Sequence, residues 1–228
     1  MKKIIMKKLL KYAIFLLAMH AVVNCTPAQK TPFFDEIQTF KKQDSAAMPP
    51  KNAILFVGSS SFRLWTNLKE DFRMHSVINR GFGGSSLPDV IRYANDIILP
   101  YQPSQVLIYC GENDLAASDT VTSKIVYERF QRLFDTIRRQ LPNTAIAFVS
   151  IKPSPSRAHL LQKVIAANDL IRDFLKKQTK TAYIDVFSAM VDQQGKPKPD
   201  LFVDDKLHMD QKGYAIWVEI IGPYLIKT

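Results

Sequence analysis

The chain has 228 residues, 46% hydrophobic and 23% charged, a composition that predicts one ordinary globular domain and excludes a collagen-like or disordered protein. The formal net charge is +10, but residues 1–24 hold five lysines and no acidic residue, so the rest of the chain carries only +5. Because those remaining basic residues are scattered, the sequence predicts no nucleic-acid partner.

The N-terminal segment has the pattern of an export signal. Lysines up to Lys11 precede an apolar stretch over residues 12–23, which is too short for a comfortable transmembrane span. We therefore predict that residues 1–24 are a signal peptide. The expected location is the bacterial cell envelope, with a lipid-anchored or periplasmic protein, and secretion is the alternative.

The cysteine after this segment is a candidate for lipidation. Val22-Val-Asn-Cys25 resembles a bacterial lipobox, although Asn24 departs from the small residue that the pattern prefers before the cysteine. Cleavage to a soluble form is the alternative, and a lipid on Cys25 would be the only membrane contact. A disulfide with Cys110 is not expected, because Cys110 ends an apolar run typical of a buried strand.

Short apolar runs alternate with helical patterns after a tether and lead-in predicted over residues 25–50. Five runs of strand-forming residues lie at 53–57, 76–79, 105–110, 144–150 and 181–185. Amphipathic helix patterns cover 126–141, 160–177 and 210–225. Runs that are apolar on both faces are typical of parallel strands covered by helices. The sequence predicts a three-layer α/β/α sandwich with a five-stranded parallel sheet over residues 51–228.

Ligands of such sheets bind beyond the carboxyl ends of the strands, and the first strand ends in Gly58-Ser-Ser-Ser61. Gly58 permits a sharp turn, after which a serine hydroxyl at the start of a helix can point out of the sheet. A serine-rich turn that only caps a helix is the alternative interpretation.

The next two strand ends carry candidate hydrogen-bond donors. The second is followed by Gly81-Phe-Gly-Gly84, whose backbone N–H groups can hold an oxyanion, although a loop that binds nothing has the same composition. The third is followed by Asn113, which offers a side-chain amide, although Asn-Asp is also a common turn pair.

Near the C terminus, Asp205 and His208 lie three residues apart. At this spacing a carboxylate can hold the imidazole Nδ1–H and leave Nε2 free as a base, although such pairs also occur by chance. His75 and His159, the other histidines after the signal segment, have no acidic residue this close before them. Since no group of His, Cys and Asp has metal-ligand spacing, we expect no metal or other cofactor.

The three strand ends and the segment with Asp205 and His208 are four sequence blocks. In this order, they resemble the SGNH hydrolase (GDSL esterase/lipase) superfamily. The resemblance extends from about Ile54 to the C-terminal helix and includes Trp65 and the segments 151–157 and 213–217. It implies a flavodoxin-like fold and a serine hydrolase. The roles it implies are a catalytic triad of Ser60, Asp205 and His208 and an oxyanion hole of Ser60, Gly84 and Asn113.

One position departs from the family pattern. The first block of the family usually reads Gly-Asp-Ser, whereas this chain has Gly58-Ser59-Ser60. Alignment on Gly58 makes Ser60 the nucleophile, and Ser59 and Ser61 are the alternatives. Because Asp205 supplies the triad carboxylate, the loss of the first-block aspartate is compatible with activity.

The resemblance implies an exported serine esterase that removes short acyl groups, above all acetyl, from carbohydrates or similar alcohols. The alternatives are a lysophospholipase- or thioesterase-like hydrolase of longer acyl chains and a catalytically silent glycan-binding module. Arg157, in the loop after the fourth strand, is a candidate substrate contact, and a structural salt bridge is its alternative role. The partner is thus a small-molecule or glycan ester, and the sequence makes no prediction of oligomeric state.

Overall fold

A computed structural model describes residues 30–227 and places a five-stranded parallel sheet at the centre of the protein. The strands are β1 Ile54–Gly58, β2 Val77–Gly81, β3 Gln105–Tyr109, β4 Ala145–Val149 and β5 Thr181–Ile184. Their order in the sheet is β2-β1-β3-β4-β5, which is the flavodoxin-like order, with its switch point between β1 and β3. The predicted fold class is confirmed.

Helices connect the strands and cover both faces of the sheet. The α-helices are α1 Phe34–Ala46, α2 Ser60–Arg63, α3 Leu68–Asp71, α4 Leu87–Arg92, α5 Ala94–Ile97, α6 Glu112–Ala116, α7 Ser123–Gln140, α8 Leu161–Leu175 and α9 Gln211–Ile221. Short 3₁₀ turns lie at Leu99–Tyr101, Pro155–Leu160, Ser188–Met190, Pro199–Leu201 and Gly222–Tyr224. The three long helices predicted from periodicity correspond to α7, α8 and α9.

Alternate residues of each central strand belong to two separate hydrophobic cores. In β1, Leu55 and Val57 face one core together with residues of α4, α7 and α8. Ile54 and Phe56 face the other core together with Trp217 of α9. All five residues of β1 are buried, as expected for a parallel strand between two helical layers.

The N-terminal lead-in differs from the tether predicted over residues 25–50. Helix α1 forms within this segment, and Ile37 is buried in the core, with Phe33 and Phe40 packed beside it. The three apolar residues recur at helical spacing, but they are too few among charged neighbours to predict a packed helix from sequence. The predicted signal peptide and Cys25 lie outside the described residues.

Helix α1 is held to the sheet by a polar cluster at its C-terminal end. The Arg80 guanidinium forms an ion pair with Asp44, and its Nε donates to Tyr101 Oη at 2.5 Å. The Tyr101 hydroxyl in turn donates to Asp44 Oδ2 at 2.5 Å. Burial, together with the Asp44 carboxylate, raises the pKa of Tyr101 to about 12, so the hydroxyl keeps its proton.

Replacement of Asp44 by alanine is expected to destabilise the protein by about 2–3 kcal/mol, because it leaves the charge of Arg80 buried without a counterion. The side chains of Arg80 and Asp44 are only 10% and 14% exposed. Urea unfolding measures this free energy. Lys41→Ala is the control, because it removes an exposed ion pair of the same helix with Asp96 and should change stability by less than about 1 kcal/mol. Equal losses in the two variants would contradict the role given to Asp44.

Within residues 30–227, no helix is both long enough and apolar enough to cross a membrane.

Candidate active site

The carboxyl end of β1 presents the serine cluster at the edge of the sheet. Gly58 has φ +141°, and the N–H of Ser59 donates to the carbonyl of Tyr109 in β3 at 3.0 Å. This turn places Ser60 at the first position of α2, half-buried. The Ser60 hydroxyl therefore lies at the edge of the sheet where ligands of such folds bind.

A histidine and a carboxylate from the C-terminal region complete a hydrogen-bonded chain with this serine. His208 Nε2 lies 3.1 Å from Ser60 Oγ, and His208 Nδ1 lies 2.6 Å from Asp205 Oδ2. Because a carboxylate accepts only, the Nδ1 atom carries the proton and Nε2 is left to accept the Ser60 proton. This is the arrangement of a nucleophile, a base and an orienting acid.

The turn between Asp205 and His208 is fixed by its own backbone. Asp205 Oδ1 accepts from the N–H of Leu207 at 2.8 Å and from that of His208 at 2.9 Å. Although partial burial acts to raise the pKa of Asp205, these N–H donors and the His208 ring lower it to about 2. Asp205 therefore stays ionised at any pH at which a neutral imidazole can serve as base.

The two alternative nucleophiles are placed differently from Ser60. Ser59 and Ser61 are 4% and 3% exposed, whereas Ser60 is half-buried and in hydrogen-bond distance of His208. The geometry therefore favours Ser60 over its two neighbours.

The loop after β2 carries Gly84 to the same edge. In the register of the sheet, Gly58 pairs with Gly81 of β2 and with Tyr109 of β3, so the three loops leave the sheet at one level. The Gly58 carbonyl accepts from the N–H of Phe82 at 2.9 Å and from Ser85 Oγ at 3.1 Å. Gly84 itself is exposed at φ +73°, so its backbone is open to a ligand.

The loop after β3 places Asn113 beside the glycine loop. Asn113 Nδ2 donates to the carbonyl of Ser85 at 3.0 Å. An amide nitrogen has two protons, so one remains for a ligand at this edge. The structure thus brings all five residues predicted for the triad and the oxyanion hole to one edge of the sheet.

Arg157, predicted as a substrate contact or a salt-bridge residue, contacts the protein itself. Its Nη1 atom donates to Asn113 Oδ1 at 3.0 Å and lies 3.5 Å from Glu112 Oε1. The salt bridge is present. A contact with substrate stays a prediction, and the side chain is 20% exposed.

A buried polar cluster below Asn113 escaped sequence reasoning. Lys152 is 1% exposed, and its Nζ atom donates to Glu112 Oε2 at 2.6 Å and to Ser154 Oγ at 2.7 Å. The Ser154 hydroxyl donates to Glu112 Oε1 at 2.5 Å. The available signal is a lysine three residues after the end of an apolar strand, but its partner lies 40 residues away in sequence.

The described part of the chain contains no group of three or more His, Cys, Asp or Glu side chains placed to hold a metal ion.

Comparison with known proteins identifies the family and the fold. The sequence matches the model of the GDSL-like lipase/acylhydrolase family over residues 55–216. A comparison with curated protein sequences gives no match.

Several solved structures share the fold. A GDSL-like lipase from Bacteroides thetaiotaomicron VPI-5482 is 18% identical with a TM-score of 0.72, covering 82% of this chain and 96% of that one. A protein from Bacteroides fragilis NCTC 9343 assigned as an acylhydrolase is 19% identical with a TM-score of 0.74, covering 86% and 97%. A carbohydrate esterase family 3 protein from Talaromyces cellulolyticus is 17% identical with a TM-score of 0.60, covering 75% and 94%.

Proposed function

Because the chain belongs to the GDSL-like lipase/acylhydrolase family, we propose that it is a serine esterase that hydrolyses carboxylic esters with Ser60 as nucleophile. The observation that carries this proposal is the continuous chain of hydrogen bonds from Ser60 Oγ through His208 to Asp205, at 3.1 and 2.6 Å. Such a chain at the carboxyl edge of a parallel sheet serves nucleophilic attack on an acyl group.

In the first half of the reaction, His208 Nε2 takes the Ser60 proton as Oγ bonds to the ester carbonyl carbon. The negative charge that forms on the carbonyl oxygen is held by the N–H groups of Ser60 and Gly84 and by the Asn113 amide, which is 3.0 Å from Ser85 on its other side. Each such donor typically contributes about 10²–10³-fold in rate. His208 then gives its proton to the leaving alcohol as the carbon–oxygen bond breaks.

In the second half, water hydrolyses the acyl-enzyme. His208 takes a proton from the attacking water and returns it to Ser60 Oγ as the acid leaves. Asp205 remains ionised throughout and stabilises the imidazolium, consistent with a pKa of about 2.

The proposed substrates are short acyl esters, acetyl above all, on carbohydrates or similar bulky alcohols. The openness of the site supports this: Asp205 is 46% and His208 29% exposed in their side chains, so an ester on a large alcohol can reach Ser60. Likeness to a carbohydrate esterase fold is consistent with it. The signal-like residues 1–24 support action in the bacterial cell envelope.

Hydrolysis of p-nitrophenyl acetate and octanoate by residues 26–228 tests this proposal. We expect kcat/KM for acetate to exceed that for octanoate by about 10-fold, because a site as exposed as that of Asp205 and His208 encloses a long acyl chain poorly. Release of acetate from an acetylated oligosaccharide would show that the alcohol part of the ester can be a carbohydrate. A preference for octanoate would favour the lysophospholipase- or thioesterase-like alternative. Glycan binding without hydrolysis would favour the silent binding module.

A further inference from the structure

The loop of residues 152–157, which follows β4, contacts both halves of the proposed active site. On one side, Arg157 donates to Asn113. On the other side, the N–H and the hydroxyl of Ser156 donate to the carbonyl of Lys206 at 3.0 and 2.9 Å, inside the turn between Asp205 and His208. The proposed mechanism gives this loop no role, although its Lys152 and Ser154 are buried.

The loop is anchored on Glu112, the residue directly before Asn113. The Glu112 carboxylate accepts from Lys152 Nζ at 2.6 Å, from Ser154 Oγ at 2.5 Å and from Tyr109 Oη at 3.0 Å. Burial acts to raise the pKa of Glu112, but the ammonium of Lys152 and the guanidinium of Arg157 lower it below its usual value. Glu112 is thus a buried anion with fixed partners, and its carboxylate forms an ion pair with Arg157 at 3.5 Å.

The contacts of Asn113 with Arg157 and Ser85 determine which end of its side-chain amide is the oxygen and which is the nitrogen. The oxygen and nitrogen of an asparagine amide are nearly equal in size, and only the N–H stabilises an oxyanion. Arg157 can only donate, so it selects the oxygen of Asn113 at 3.0 Å. The Ser85 carbonyl can only accept, so it selects the nitrogen at 3.0 Å. In the flipped orientation both contacts would be repulsive.

We propose that Arg157 is a positioning residue of the oxyanion hole, which fixes and polarises the Asn113 amide while the buried Glu112–Lys152 pair holds the guanidinium in place. The inference rests on the esterase function proposed above. A guanidinium that draws electron density from the amide oxygen also makes the amide N–H a stronger donor. Arg157 thereby acts through Asn113, and its effect falls on the transition state.

A double-mutant cycle tests this role on p-nitrophenyl acetate. We expect Asn113→Ala to lower kcat by about 10²-fold and Arg157→Gln to lower it by about 10-fold, with KM changed less than about twofold in the latter. In the Asn113→Ala background, Arg157→Gln should lower kcat by less than about twofold, because the amide on which it acts is gone. If the two effects multiply, or if Arg157→Gln raises KM at unchanged kcat, Arg157 does not act through Asn113.

Two further variants guard against loss of folding. Arg157→Lys keeps the charge but loses the planar guanidinium, whose Nη1 atom reaches both Asn113 and Glu112; its kcat should fall several-fold, again only when Asn113 is present. Arg138→Gln is the matched control, since Arg138 donates to the carbonyls of Pro142 and Thr144 before β4, at the opposite end of the sheet. It should lower thermal stability and leave kcat unchanged.

The outcomes separate this inference from the proposed function. A folded wild-type protein that hydrolyses no ester overturns both. A wild-type activity that depends on Ser60, combined with multiplicative effects of Arg157→Gln and Asn113→Ala, overturns the role of Arg157 alone.

Discussion

Alanine at position 60 is expected to lower kcat for p-nitrophenyl acetate by more than about 10³-fold, without loss of folding. The substitution removes the oxygen that lies 3.1 Å from His208 Nε2 and that would form the acyl-enzyme in the proposed mechanism. Ser60 is half-buried at the first position of a short helix, so the loss of its hydroxyl leaves the packing of both cores intact. Steady-state kinetics and a thermal unfolding curve measure the two quantities.

His208→Ala should lower kcat as much as Ser60→Ala does. The kcat of the variant with both substitutions should lie within about threefold of that of either single variant. Nucleophile and base act as a unit, so their effects on kcat do not multiply. Multiplicative effects would mean that His208 serves a different step from Ser60.

Ser59→Ala is the matched control for the nucleophile. It deletes the same hydroxyl one residue earlier, where the side chain is buried and the backbone N–H is engaged with Tyr109 at 3.0 Å. We expect it to retain kcat within about 10-fold of the wild type. A loss in Ser59→Ala as large as that in Ser60→Ala would show that the first-block position, an aspartate in much of the family, is itself required here.

The sheet could be predicted from sequence because the physical signal for each strand is local. A run such as 53–57 is apolar at every position, and such a run is buried on both faces. The carboxyl-edge rule then predicts that the serine cluster, the glycine loop and Asn113 lie near one another, and the family resemblance selects Ser60 and Gly84 within them. Asp205 and His208 could be paired for a similar reason, since three residues along one turn bring their side chains into contact.

The features that sequence did not predict depend on contacts between distant segments. Helix α1 has few apolar residues, and it is held partly by the ion pair between Asp44 and Arg80, 36 residues apart. Lys152 and Glu112 are 40 residues apart, and each alone is typical of an exposed side chain. Both side chains can be buried only because the fold brings them together as an ion pair. Arg157 had two interpretations for the same reason, because its partners were unknown.

At Gly58, both the fold and the proposed site depend on the absence of a Cβ atom. A Cβ atom at this residue would lie 1.9 Å from the carbonyl oxygen of Tyr109 and 2.7 Å from its carbonyl carbon. These are backbone atoms of β3, which pairs with β1 at the centre of the sheet. The clash therefore cannot be relieved by a side-chain rotation, and the backbone φ of +141° is itself a value that alanine rarely adopts.

Gly58→Ala is therefore expected to lower the free energy of unfolding by at least about 4 kcal/mol, through separation of β1 from β3 and strain in the turn. Gly195→Ala is the matched control, since Gly195 has φ +74° and a Cβ atom there would meet no other atom within 4 Å; it should cost only the left-handed backbone strain of about 1 kcal/mol. Denaturant unfolding of both variants measures the difference. Any folded Gly58→Ala protein should also lose ester hydrolysis, because Ser60 lies two residues beyond the displaced strand end. Equal destabilisation by the two substitutions would mean that β1 and β3 do not approach as closely as the register requires.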